Sequence, residues 1–486
     1  MSAMPSHVLP SAAKLSHALG SLHRQVPLTG TGLESVQRHL SEDVAPAFNA
    51  GSQSSRYYGF VTGGATPAAV FADNMVTEYD QNVQVHLPNE TIATDVEAAS
   101  LDMICDLLGF WNKDFPHRTY TTGATASNII GLACGREYVI SAAAARNGTI
   151  ANVSSMGLIA AMRVAELDDI QVLTSVPHSS LRKAASITGL GHDSVRDVGR
   201  ASEPHLFDSA ALKKALETPR TASIIVVSCS EVNSGLFATS EDDMTNLVDL
   251  AKKYGAWIHV DAAFGLLARI LPDDNSDYKT LKSGVKGLEY ADSIAADAHK
   301  LFNVPYDCGI LLSRHLDIGT AVFQNPGAPY LNAAAGSVPS PLNIGIENSR
   351  RFRALPVYAN LVAYGREGFV DMLERQIALA RIIAAHMIDS DDYELLPLVS
   401  GGATKEELLQ RVYIIVLFRA KQEALNIELV KKINASRKIY VSGTKWGGQP
   451  ACRFAISNWQ ASIDKDWSTV KEVLDSVVND ATVSEA

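Results

Sequence analysis

The chain has 486 residues with Lys+Arg 42 against Asp+Glu 53, a formal net charge of −11, and no basic run, which excludes nucleic-acid or anionic-membrane binding through bulk charge. A hydrophobic share of 47% beside 20% charged residues is an ordinary globular balance, neither disordered nor fibrous. Five scattered cysteines, never in a Cys-x-x-Cys spacing, point away from a disulfide framework or zinc site.

In chain order, the pattern is helical to about Ala50, and Gly51–Ser55 is a loop leading into an arm, Arg56-Tyr57-Tyr58-Gly59-Phe60-Val61-Thr62-Gly63-Gly64. From Arg118 short β-rich runs alternate with longer helical stretches. The runs are Thr119–Thr122, Ile170–Ser175, Ser223–Cys229, Ala256–Val260, Ser293–Ala296 and Cys308–Leu312. Such alternation predicts a mostly parallel sheet with helices on both faces. Ser223–Cys229 is apolar nearly throughout, as a central strand buried on both sides should be. After about Ser349 come a long helical pattern to Ser390, β-rich runs at Glu394–Val399 and Arg411–Phe418, a helix from Lys421 to Ser436, a strand near Ala451–Ser457 and a last helix. The expected division is an arm and helical segment (1–85), a large domain (86–348) and a small C-terminal α+β domain (349–486). No stretch approaches about 18 uninterrupted apolar residues. With no signal-peptide core in Met1–Gly20, a cytoplasmic protein without a membrane span is expected.

Open parallel sheets bind ligands beyond the carboxyl ends of their strands, and four such places carry suggestive residues. Thr122-Gly123-Ala124-Thr125-Ala126-Ser127-Asn128 runs into a helix; a glycine, small hydroxyls and a helix N-terminus form an anion cradle, or a simple N-cap by Thr122 or Thr125. Pro177-His178-Ser179-Ser180 puts an imidazole at a strand end. Asp261 follows an apolar strand and is flanked by small residues, so something positive must face it: a buried arginine, a helix N-terminus or a protonated ring nitrogen. Lys300, in Asp297-Ala298-His299-Lys300, sits among small residues at another strand mouth, where desolvation suits an amine to Schiff-base chemistry.

An anion cradle, a stacking imidazole, a buried acid and a lysine at successive strand ends are the parts that hold pyridoxal phosphate. On His259-Val260-Asp261-Ala262-Ala263-Phe264-Gly265, on Asp297-Ala298-His299-Lys300 with Pro305-Tyr306-Asp307-Cys308-Gly309, and on Asn348-Ser349-Arg350-Arg351-Phe352-Arg353, the chain resembles the pyridoxal-phosphate-dependent group II amino-acid decarboxylases from about Tyr58 to Trp459. The resemblance implies an aspartate-aminotransferase-like, fold type I architecture with a seven-stranded large-domain sheet, and a homodimer with the active site at its interface. It implies that Lys300 carries the cofactor as a Schiff base, that Asp261 pairs with the ring nitrogen and that His178 stacks on the ring. It further implies cofactor contacts at Ala124, Thr125, Asn233, Ala263 and His299. The expected reaction is decarboxylation of an L-amino acid to the amine.

One stretch departs from the family. Where aromatic amino-acid decarboxylases carry a loop tyrosine that protonates the carbanion, Leu331–Asn343 is short and holds none, and Tyr330 matches a different family position. An aldehyde-forming outcome, or an aminotransferase-like reaction on the same fold, therefore stays open. Tyr57 and Tyr79 are candidates for an aromatic substrate pocket, or pack the arm against a partner subunit; Arg353 anchors a carboxylate or forms an ion pair. No metal is expected, because His259 and Asp261 have no third ligand at a recognised spacing. A dinucleotide dehydrogenase is rejected, since Gly189-Leu190-Gly191-His192-Asp193-Ser194 lacks the third glycine.

Overall fold

The computed structural model describes residues 5–325, 338–398 and 402–483. It divides into two units: Met1–Gly64 with Arg375–Leu398 and Ile414–Ala486, and Ala65–Glu374 with Val399–Tyr413. This differs from the expected three-part division. The arm strand β1 (Tyr57–Tyr58) pairs in parallel with a C-terminal strand, so the first 64 residues join the C-terminal unit rather than standing apart. The boundary expected near 349 falls instead within the helix Ala354–Asp389, whose residues from Arg375 onward belong to the first unit.

The second unit holds Lys300, Asp261 and His178. Its strands are β2 (His117–Thr121), β3 (Asp169–Thr174), β4 (Val195–Asp197), β5 (Thr221–Ser228), β6 (Trp257–Asp261), β7 (Ser293–Asp297) and β8 (Gly309–Ser313), in the order β2-β8-β7-β6-β5-β3-β4. Six runs expected from sequence are found within a residue or two. The short edge strand β4 was not expected, since three residues carry too little periodicity to register. β5 is interior as expected, with Ile224, Ile225 and Val227 wholly buried, and lies one place from the middle strand, β6.

β4, β3, β5, β6 and β7 are mutually parallel, while β8 is antiparallel to both β7 and β2. The reversal has a length cause. Only the one-turn helix Ala298–Leu301 and a loop separate β7 from β8, and a parallel crossover needs about a dozen residues or more. β2 thereby points the same way as the parallel strands. Thr121, Thr174, Ser228, Asp261 and Asp297 consequently end at one edge of the sheet, and the chain delivers its polar loops there.

Against this sheet packs the 23-residue helix Ala124–Arg146. It approaches β6 closely because two of its residues are glycine. A Cβ on Gly131 would lie 2.4 Å from His259 Cε1, and one on Gly135 2.9 Å from Trp257 Cδ1. Trp257, His259 and Asp261 alternate with Ile258 and Val260 on β6, so all three face this helix. The core here, including Ile130, Leu132, Val172, Ile224 and Trp257, is fully buried.

The first unit holds a five-stranded sheet, β1-β11-β12-β10-β9, built from β9 (Tyr393–Leu396), β10 (Ile415–Ala420), β11 (Tyr440–Trp446) and β12 (Gln449–Ala455). β11 and β12 form a hairpin across Gly447 and Gly448, whose φ values of 57° and 79° are those that a two-residue primed turn demands.

Candidate active site

Asp261 ends β6, where the carboxylate is held by neutral donors. Asn128 Nδ2 donates to Oδ2 at 2.9 Å and the Ala263 backbone N–H to Oδ1 at 3.3 Å. Among the described residues no lysine, arginine or histidine makes an ion pair with it. Of the partners that the sequence left open, a buried arginine is therefore not the one. A half-buried anion with only neutral neighbours suits a cationic ring nitrogen.

Lys300 lies one strand over. Its Nζ is 2.8 Å from Asp297 Oδ2 and 5.6 Å from the centre of the Phe264 ring. Asp297 is nearly buried at 5% exposure; its other oxygen accepts the Ala124 backbone N–H at 2.6 Å and lies 3.5 Å from His299 Nε2. Burial lowers the His299 pKa, opposed by the Asp297 charge. Sequence reasoning assigned Asp297 no role, although a carboxylate at the end of a buried strand, three residues before the lysine, was the available signal.

The helix beginning at Ala124 has Gly123 as its N-cap, with no side-chain capping bond. The simple cap by Thr122 or Thr125 is not what forms. The Ala124 N–H is taken by Asp297 and the Ser127 N–H by Gly123 O, which leaves the Thr125 and Ala126 N–H groups and the helix dipole for an anion. A Cβ at Gly123 would stand 3.3 Å from both Asp297 Oδ1 and His299 Cε1, so any larger residue would fill the cradle. Thr125 is half-buried beside it.

The remaining expected residues are placed as follows. His178 caps the helix Ser179–Ile187, its Nδ1 accepting from the Ser180 N–H at 3.2 Å, and it is exposed at the end of β3. Asn233 follows β5, its Nδ2 donating to Glu231 Oε1 at 3.0 Å. Arg353 pairs with Asp307 at 2.8 Å, Arg351 with Asp73 at 2.7 Å and Arg350 with Glu97; ion-pairing, one of the two roles weighed for Arg353, is thus occupied. Tyr79 is 64% exposed at the end of its helix. Tyr57 belongs to the first unit, where it stacks on Tyr440 at 4.6 Å between ring centres. Tyr330 and Leu331–Ser337 lie outside the described residues.

Asn128 was also unassigned from sequence. Its signal was a spacing: Ala124, Asn128, Gly131 and Gly135 share one helix face, the one laid against β6.

The donor set fits pyridoxal phosphate. An anion-ready helix N-terminus, a carboxylate lacking a cation and a lysine amine stand at one sheet edge, and these match the phosphate, ring nitrogen and aldehyde.

Comparison with known proteins agrees. The pyridoxal-dependent decarboxylase conserved domain matches residues 21–403. The chain is 22% identical over 490 residues to tryptophan decarboxylase 1 of Oryza sativa subsp. japonica, covering 97% of this chain and 90% of that one. It is 27% identical over 396 residues to phenylacetaldehyde synthase of Arabidopsis thaliana, covering 78% and 74%. The crystal structure of Oryza sativa TDC with PLP and tryptamine superposes with a TM-score of 0.77 at 21% identity, covering 97% and 93%. The chain belongs to the pyridoxal-dependent decarboxylases, carboxy-lyases of the fold type I architecture that act on amino acids with pyridoxal phosphate.

Proposed function

We propose that this enzyme decarboxylates an aromatic L-amino acid to its amine, working as a cytoplasmic homodimer. The observation that carries the chemistry is Asp261, an anion that among the described residues makes no ion pair, on the same sheet edge as Lys300. Pyridoxal phosphate, when bound, supplies a sink for the electron pair left as carbon dioxide departs. Asp261 keeps that sink effective by accepting a hydrogen bond from a protonated ring nitrogen. The helix N-terminus at Ala124 and Thr125, with His299, would hold the phosphate. His178, exposed at the end of β3, and Asn233, after β5, would help to hold the cofactor's ring. Lys300 anchors the aldehyde; whenever its amine is free, Asp297 at 2.8 Å exchanges a proton with it.

The aromatic substrate is supported by relatives that include a tryptophan decarboxylase. Tyr79, exposed in the second unit, is the candidate pocket residue there; Tyr57 and Arg353 are already engaged by Tyr440 and Asp307. A second reading has its own support. The tyrosine-free stretch Leu331–Asn343, together with a phenylacetaldehyde synthase among the relatives, favours an aldehyde-forming reaction in which dioxygen is the oxidant, water supplies the aldehyde oxygen, and ammonia and hydrogen peroxide are released with carbon dioxide. Dimerisation is supported by apolar side chains exposed on the N-terminal helices and beyond, among them Leu19 at 61%, Leu33 at 72% and Phe48 at 70%. The cytoplasmic assignment accords with five buried free thiols.

A screen of the twenty L-amino acids, scored for carbon dioxide, amine, aldehyde and peroxide, tests the reaction. Amine with carbon dioxide from an aromatic substrate is expected. Turnover confined to acidic or basic amino acids would overturn the substrate, and stoichiometric peroxide would select the aldehyde reading. Light scattering in solution should return the mass of two chains; a single-chain mass would refute the dimer.

A further inference from the structure

Behind Asp261 runs a buried hydrogen-bonded chain that ends on its carboxylate. Trp257 Nε1–H donates to Ser293 Oγ at 3.1 Å, Ser293 Oγ lies 2.7 Å from His259 Nδ1, His259 Nε2 lies 2.9 Å from Asn128 Oδ1, and Asn128 Nδ2 donates to Asp261 Oδ2 at 2.9 Å. Asn128, His259, Ser293 and Trp257 each have no exposed surface.

The ends of this chain fix its direction. An indole N–H can only donate and a carboxylate can only accept, whereas the hydroxyl, imidazole and amide between them can each do both. With Asp261 ionised, Asn128 must turn its amide nitrogen to it, which leaves Asn128 Oδ1 to accept from His259. His259 then carries its proton on Nε2, and its Nδ1 accepts from Ser293, which has already accepted from Trp257. Every hydrogen points toward Asp261. Protonating the carboxylate would set a new O–H against one of the two N–H donors it already accepts, Asn128 Nδ2 or Ala263 N, and weaken the acceptor left for the other, a costly outcome away from water.

Charge matters as much as direction. Burial lowers the His259 pKa to about 4, so the ring is neutral at physiological pH. The chain thus supplies hydrogen bonds to Asp261 without a cation, and leaves the carboxylate's charge for another partner.

We propose that Asn128 is the positioning residue for Asp261, and that the Trp257–Ser293–His259–Asn128 chain keeps that carboxylate aimed and ionised so that the cofactor's ring nitrogen stays protonated. This rests on the reading of Asp261 as the ring-nitrogen partner. The architecture makes room for it: the glycine at 131 allows the helix to come within reach of His259, and the parallel register sets Ser293 directly opposite His259.

The test is nitrogen NMR on holoenzyme loaded with isotope-labelled pyridoxal phosphate, with cofactor affinity and thermal midpoint measured alongside. Wild type should show a protonated ring nitrogen. Asn128→Leu keeps the size and removes both hydrogen bonds; its ring-nitrogen signal should move toward the unprotonated position, with pyridoxal phosphate bound about tenfold more weakly. Asn128→Ala removes the same two hydrogen bonds without introducing a charge or a bulky side chain, so its signal should move in the same direction. Asp261→Ala should give the unprotonated signal outright. If Asp261→Ala keeps the protonated signal, the reading of Asp261 itself fails. If Asp261→Ala loses it while Asn128→Leu keeps it at wild-type affinity, with only the thermal midpoint changed, Asn128 merely fills space and the proposal is overturned. Should Asn128→Leu not fold, a wild-type signal at wild-type affinity from Asn128→Ala overturns it equally.

Discussion

Replacing Gly131 with alanine sets two effects against each other. In an open helix interior alanine is preferred over glycine by about 1 kcal/mol. Here the new methyl would lie 2.4 Å from His259 Cε1 and 2.5 Å from Nδ1, well inside the roughly 3.5 Å of an unstrained contact. His259 cannot withdraw cheaply, because its two ring nitrogens are held at 2.7 Å and 2.9 Å by Ser293 and Asn128. A shift of about 1 Å breaks both bonds, each break costing about 1–3 kcal/mol when the groups are buried. Overpacking alone costs about 1–3 kcal/mol. The clash therefore outweighs helix propensity, and Gly131→Ala should lose about 2–8 kcal/mol, a large share of the roughly 5–15 kcal/mol that holds a domain folded. Urea denaturation followed by tryptophan fluorescence measures it. The control is Gly345→Ala, whose Cβ would meet Pro341 O at 3.5 Å and Thr119 Oγ1 at 3.7 Å, ordinary contacts that predict little change. A Gly131→Ala protein as stable as wild type would mean that His259 is not held as described.

Two further outcomes follow from buried charge. His117 and His259 are neutral because burial lowers each pKa from 6.5 to about 4. Unfolding returns them to the ordinary value, so the unfolded chain binds more protons between these limits. Stability is then complete above pH 6.5 and is lost as pH falls toward 4, by about 2 kcal/mol per group at pH 5; equal denaturation midpoints at pH 7 and pH 5 would contradict this. Asp297→Asn removes a negative charge 2.8 Å from Lys300 and beside the helix N-terminus. It should speed and tighten cofactor loading several-fold, since the phosphate no longer meets a carboxylate there. Stopped-flow mixing with pyridoxal phosphate measures this, and slower loading would show that Asp297 assists capture instead.

How far the sequence carried can be judged residue by residue. Apolar runs such as Ser-Ile-Ile-Val-Val located β5, and the residues after each run pointed to Lys300, Asp261 and the Ala124 helix N-terminus, because strand ends and glycine-led helix starts are local patterns. Pairing direction was not local: β8 is reversed because the β7–β8 link is too short, a matter of length that composition does not display. The arm's union with the C-terminal unit depends on Tyr57 meeting Tyr440, a separation along the chain that no periodicity reports. Asn128 was overlooked for the same reason, since its meaning lies in a partner more than 130 residues away, Asp261; Asp297 has a distant partner in Ala124 but a near one in Lys300, three residues on. β11 and its hairpin turn at Gly447-Gly448 were not expected from sequence, because a strand with Gly443 and Lys445 on it is weak by composition.

The most direct test of the central assignment is borohydride reduction of the pyridoxal-phosphate-loaded enzyme, followed by peptide mass spectrometry beside Lys300→Ala. The account predicts that the visible absorbance bleaches and that the reduced cofactor is found on the peptide carrying Lys300, with no adduct in the variant. A cofactor fixed on another lysine, or a protein that takes up none, would contradict it.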